Sequence, residues 1–297
     1  MCCGRGESIP AGDVTRSEVQ IPATDGFPLS AAITSSDAGT GDWVVINGAF
    51  AVASRLYASF AGAVAEAGCT ALTYDYRGIG GSQPATLRRF SATLGDWATQ
   101  DMAGVVNWVH RTQAPRHVFM VGHSLGGILP GLMNNADLVD AMVTVGSENT
   151  YWRYRKGAAR SMAYSWATRP FATVFGYLPW SRFSSAEDVP AGAALQMAVS
   201  MRRPGGILDD PTLPVQRYAD FQAPVLGYSI SDDTEATRPS VDALMSVYPH
   251  VERRHIDPAD AGLDRLGHFG YFKRPARGLW PEAISWLQNP EAHPPNP

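Results

Sequence analysis

The chain has little that would tie it to a membrane, to nucleic acid or to an oxidising compartment. Its 297 residues contain no run of 18 or more apolar side chains, so no transmembrane helix is expected. The first residues, MCCGRGESIPAGD, lack the apolar core of a secretory signal. Three cysteines, Cys2, Cys3 and Cys69, do not make a disulfide framework, and their spacing fits no zinc site. Cys2 and Cys3 could be acylated, but no second membrane signal stands beside them, and no stable membrane anchor is expected. Positive charge is not in excess either. Lys and Arg number 24 against 28 Asp and Glu, a formal net charge of -4, which gives no electrostatic reason to expect nucleic acid. The default compartment for such a chain is the cytoplasm.

What is present suffices for a large core, with 45% hydrophobic and 18% charged residues. Residues 1–17 read as a loose leader. VQIPATDGFPLSAAITSS then reads as two strands around an Asp-Gly turn. Between Trp43 and Ser147 the runs WVVING, CTALTYDY, HVFMV and AMVTVGS alternate with helical patterns. These strands are continuous apolar runs, the mark of a parallel sheet covered on both faces, and Cys69 is most simply a small buried residue at a strand edge. The alternation stops at Asn149 and resumes with PVLGYSI, RPSVDALMSVY, VERRHID and LWPEAISWLQ. The expected fold is therefore α/β, a mostly parallel eight-stranded sheet flanked by helices. Its core spans 18–148 and 222–290, a helical cap (149–221) follows the sixth strand, and 291–297 form a mobile tail.

Gly122-His123-Ser124-Leu125-Gly126 follows a buried strand and precedes a helix. A serine becomes a nucleophile when a sharp turn presents its oxygen and a base takes its proton. Only small residues fit two positions before and after such a turn, which is the reason for Gly122 and Gly126. An oxyanion site needs the amide of the next residue, Leu125, and a second amide from the loop after an earlier strand. In WVVINGAF that second donor is assigned to Ala49, with Phe50 as the neighbouring choice. Of seven histidines, only His268, in RLGHFGYF, sits in a loop between the last strand and last helix, over the sheet edge where α/β sites lie. His123 adjoins the serine and should point away from it. For the acid that orients the base, SDDTEAT offers Asp233 first, with Asp232 and Glu148 as alternatives.

The order Ser, Asp, His is that of the α/β-hydrolases. NGAF, YDYRGIGGS, GHSLGG, SDD and GHFGYF, spread over residues 19–290, resemble the serine-hydrolase branch of that superfamily. The nearest likeness is to predicted hydrolases of the serine aminopeptidase and monoglyceride-lipase type. The resemblance implies that Asp75 and Arg77 brace the loop after the fourth strand without taking part in chemistry. It also exposes a departure: Asn47-Gly48 stands where the family often has His-Gly.

The insert mixes Tyr151, Trp152, Trp166 and Trp180 with basic residues such as Arg155, Lys156 and Arg160. Together with Phe50 these aromatics are expected to line an acyl or aromatic pocket, although many aromatics of a cap simply form its own small core. The expected activity is a cofactor-free carboxylic ester hydrolase acting through an acyl-enzyme on a small-molecule acyl substrate. Acyl transfer or amide or thioester cleavage would use the same residues. A non-catalytic binding protein on this fold is the reading of another class, and such proteins usually lack a triad member.

Overall fold

The computed structural model describes residues 13–37, 39–289 and 292. Cys2, Cys3, most of the leader and most of the tail lie outside the described residues. The first strand, β1 (Val14–Pro22), begins inside the stretch read as leader, because its pairing with β2 (Pro28–Ser36) runs from Val14 to Pro22. The two are joined through Asp25 and Gly26, whose φ of +85° supplies the turn.

The sheet continues with β3 (Trp43–Asn47), β4 (Thr70–Tyr74), β5 (Val118–His123) and β6 (Ala141–Val145), then, after the insert, β9 (Val225–Ile230) and β10 (Val251–Ile256). Its order is β1-β2-β4-β3-β5-β6-β9-β10, with only the β1–β2 and β2–β4 pairs antiparallel. Every residue of β3, β5, β6 and β9 is buried, as unbroken apolar runs require when helices cover both faces. Helices α1 (Ala58–Glu66) and α8 (Trp280–Leu287) bury Phe60, Val64, Trp280 and Ile284 against one face. On the other face, α2 (Leu94–Asp96) continues through a π-helical stretch (Trp97–Met102) into α3 (Ala103–Gln113), and α7 (Arg238–Met245) packs beside them.

The insert holds α5 (Ala158–Phe175) and α6 (Ala191–Ser200), which pack together, and a two-residue pairing of β7 (Tyr177–Leu178) with β8 (Val189–Pro190). It is fastened to the core through the loop after β4 and the start of α2: the amide of Leu94 donates to Gln196 Oε1 at 2.8 Å. Among the described residues no helix is long and apolar enough to cross a membrane.

Candidate active site

Strand β5 runs into helix α4 (Leu125–Ile128) through a single residue, Ser124, with φ +51° and ψ -116°. A non-glycine residue rarely holds that conformation, and the cost is borne by close packing around the bend. A Cβ on Gly122 would overlap Gly127, and one on Gly126 would overlap the carbonyl of Asn47. The same contact presses the start of α4 against the loop after β3. Ser124 is locked from both sides, its amide donating to Val145 O (3.0 Å) and its carbonyl accepting from Gly127 N (3.1 Å).

His268 Nδ1 meets Asp233 Oδ2 at 2.7 Å. The other oxygen of Asp233 accepts from the amides of Glu235 (2.8 Å) and Ala236 (3.0 Å). Burial works against the Asp233 charge, but the His268 hydrogen bond and these amides outweigh it and hold the carboxyl below its usual range. For His268, burial disfavours the cation, while the bond to Asp233 and its charge, with Glu235 and Glu148 adding, carry the imidazole above its ordinary value. Asp232 has a different task. It accepts from the amides of Leu266 (3.0 Å) and Gly267 (2.8 Å) and so fixes the loop that carries His268. Glu148 does not touch His268; it pairs with Arg155 of the insert and is pushed up to about 7, chiefly by burial.

His123, expected to point away from the bend, is buried and connects three parts of the site. Its Nε2 lies 2.8 Å from the carbonyl of His268, which can only accept, so Nε2 carries the proton. Burial lowers its pKa to about 3, so the ring is neutral and Nδ1 accepts from Tyr57 Oη at 2.8 Å. Tyr57 Oη in turn accepts from the amide of Ala49 at 2.8 Å. This relay bears on the choice between Ala49 and Phe50 as the second oxyanion donor. The Ala49 N–H is already engaged, whereas the amide of Phe50 has no acceptor among the described residues. Nothing in the sequence pointed to Tyr57, since a tyrosine on a helical run reads as core. Asn47, the departure from His-Gly, accepts from Tyr74 Oη at 2.9 Å.

Ser124, Leu125, Phe50 and His268 line one cavity of about 710 Å³, closed from the insert by Tyr164, Trp180, Met197 and Met201. Trp180 packs edge-on to both Phe50 (6.4 Å) and Tyr164 (5.3 Å). The other aromatics assigned to the pocket are elsewhere: Tyr151 and Trp152 pack on each other at 6.0 Å, and Trp166 faces solvent beneath Arg202. Tyr164 took their place unforeseen, because α5 carries no clean apolar periodicity that would orient it. Asp75 and Arg77 brace the loop after β4. Asp75 accepts from the amides of Ser54 (2.6 Å) and Gly81 (2.8 Å), and Arg77 bonds Asp25 and Asp101. Among the described residues no group of three or more His, Cys, Asp or Glu side chains is placed to hold a metal.

A mostly parallel sheet with an antiparallel start, a strained serine after the central strand and a histidine–aspartate pair at the strand ends define the α/β-hydrolase class. The model of the alpha/beta hydrolase family matches residues 43–279, and the chain belongs to that family. No curated protein matches it in sequence. Among solved structures it is similar to the hypothetical protein PA2218 of Pseudomonas aeruginosa (15% identity, TM-score 0.65, 99% of each chain). It is also similar to Est1E of Butyrivibrio proteoclasticus, solved with ferulic acid bound (17%, TM-score 0.61, 92% of this chain and 99% of that one). The Pyrococcus furiosus esterase Pf2001 is another (16%, TM-score 0.60, 93% and 92%).

Proposed function

We propose that this hydrolase is a serine carboxylic-ester hydrolase working through an acyl-enzyme. The observation that carries the reading is the strained Ser124 sharing one cavity with a buried His268–Asp233 pair 2.7 Å apart. With Nδ1 bonded to Asp233, Nε2 of His268 is free to take the proton as Ser124 Oγ attacks the ester carbonyl. The oxyanion is received by the amides of Leu125 and Phe50, a water replaces the alcohol, and His268 returns the proton at each step. Esterases among the structural neighbours and the apolar cavity support an ester over an amide. A fluorophosphonate probe tests this directly. Wild type should label, Ser124→Ala should not, and hydrolysis of p-nitrophenyl esters should fall by several orders of magnitude, about 10⁶ where such a triad has been dissected. Labelling that persists in Ser124→Ala, or a wild type that never labels, rejects the reading.

A further inference from the structure

Helix α5 leaves several large apolar side chains facing solvent. It buries only Ser165, Thr168 and Ala172. Its exposed positions include Ala163, Trp166, Ala167, Pro170, Phe171 and Val174, which recur at three- and four-residue spacing and share one stripe. Trp166 and Val174 are each 64% exposed, and Phe183, just beyond the helix, is 72% exposed. Ring contacts at 6.1 Å join Phe171 to both Phe175 and Phe183, so the patch is continuous past the helix end. Large apolar patches of this kind mark binding surfaces.

Charge says which kind. Between Glu148 and Glu187 the sequence holds six Lys and Arg and no Asp or Glu, in a chain whose net charge is -4. Arg160 and Arg169 are exposed on α5, Arg202 stacks on Trp166 at 4.5 Å, and Arg182 stacks on Phe175 at 5.5 Å. Arg88, from the loop after β4, lies against Gly176 at the helix end. The flanking acids are occupied elsewhere, Glu187 with Arg55 and Asp188 with the amide of Ser181. A second copy of the chain would bring like charges together on this face. We infer that α5 and Phe183 dock the protein reversibly on a membrane surface rich in anionic lipid. The aromatics enter the acyl boundary and the arginines stay at the headgroups. The flank of α5 that carries Arg160 and Tyr164 lines the cavity, so the docked face borders the site.

The experiment is co-sedimentation of the full-length chain with vesicles of phosphatidylcholine alone and of phosphatidylcholine mixed with phosphatidylserine. Wild type should bind the mixed vesicles about tenfold more than the neutral ones, less so at high salt. Trp166→Ser/Phe183→Ser should lower binding about tenfold, and Arg169→Glu/Arg182→Glu should remove the preference for anionic lipid, with thermal melts like wild type. None of these four residues lines the cavity. Ser124→Ala should bind as wild type does, which separates docking from chemistry. Failure of wild type to bind the mixed vesicles, or binding at the wild-type level by both double variants, overturns the inference. So does a wild-type dimer in light scattering that Trp166→Ser/Phe183→Ser dissolves, since a second copy would then cover the face.

Discussion

Asp233 and Asp232 are neighbours in sequence with opposite surroundings: one orients an imidazole, the other holds the loop on which that imidazole sits. Their variants should therefore differ in kind. Asp233 raises the His268 pKa, and only the neutral imidazole can accept the serine proton. The rising limb of kcat/KM against pH should thus have its midpoint above the ordinary histidine value of about 6.5. Asp233→Asn should move that midpoint down while cutting the rate by about 10⁴, as loss of the orienting acid does in other triads. Asp232→Asn should lower activity with little movement of the midpoint. A profile measured on all three proteins checks this, and an unmoved midpoint in Asp233→Asn would contradict the assignment.

Between elements, the site depends on two close fits. Gly126 lets α4 lie on the backbone of the loop after β3, and an added methyl has no room there. Gly126→Ala should cost at least about 1–3 kcal/mol in a urea melt and separate the two oxyanion amides, lowering activity as well. The second fit is Arg77, which joins the β1–β2 turn at Asp25 to the π-helical stretch at Asp101, both bonds under 3 Å. Burial pushes Asp101 up to about 7, with Arg77 pulling the other way. From the unfolded value near 4 up to about 7, the folded state therefore binds more protons than the unfolded one. This group's contribution to stability falls as pH rises through that window. Arg77→Met leaves Asp101 buried without its partner. The expected loss is about 3–5 kcal/mol, and the raised Asp101 pKa makes the deficit larger at pH 8 than at pH 5. Melts at the two pH values would show it.

For the molecule as a whole, the insert both walls the cavity and carries the proposed docking face. Trp180 closes the cavity against Phe50 and Tyr164. Trp180→Ala should move the preferred acyl length upward in a p-nitrophenyl ester panel, raising kcat/KM for long chains relative to short ones by about tenfold. An unchanged length preference would mean that the acyl group does not run toward the insert. The same insert turns its aromatic stripe outward, so specificity and docking meet on one helix, α5.

The eight strands and the glycine-boxed bend were legible because burial on both faces leaves unbroken apolar runs, and because a strained turn tolerates so few residues. Ser124 and His268 could be proposed and Asp233 favoured from position along such a fold, and the structure puts His268 2.7 Å from Asp233 and in one cavity with Ser124. Three matters belonged to tertiary structure. Which of two adjacent carboxylates reaches the histidine depends on the turn after β9, which sends Asp233 to His268 and Asp232 to the amides of Leu266 and Gly267. Whether Ala49 or Phe50 offers a free amide depends on a tyrosine hydroxyl from α1's lead-in turn that arrives to occupy one of them. Which insert aromatics face the cavity depends on how α5 rests on α6. Composition shows that the insert is aromatic and basic; only packing decides that Tyr164 faces the cavity and Trp166 faces solvent.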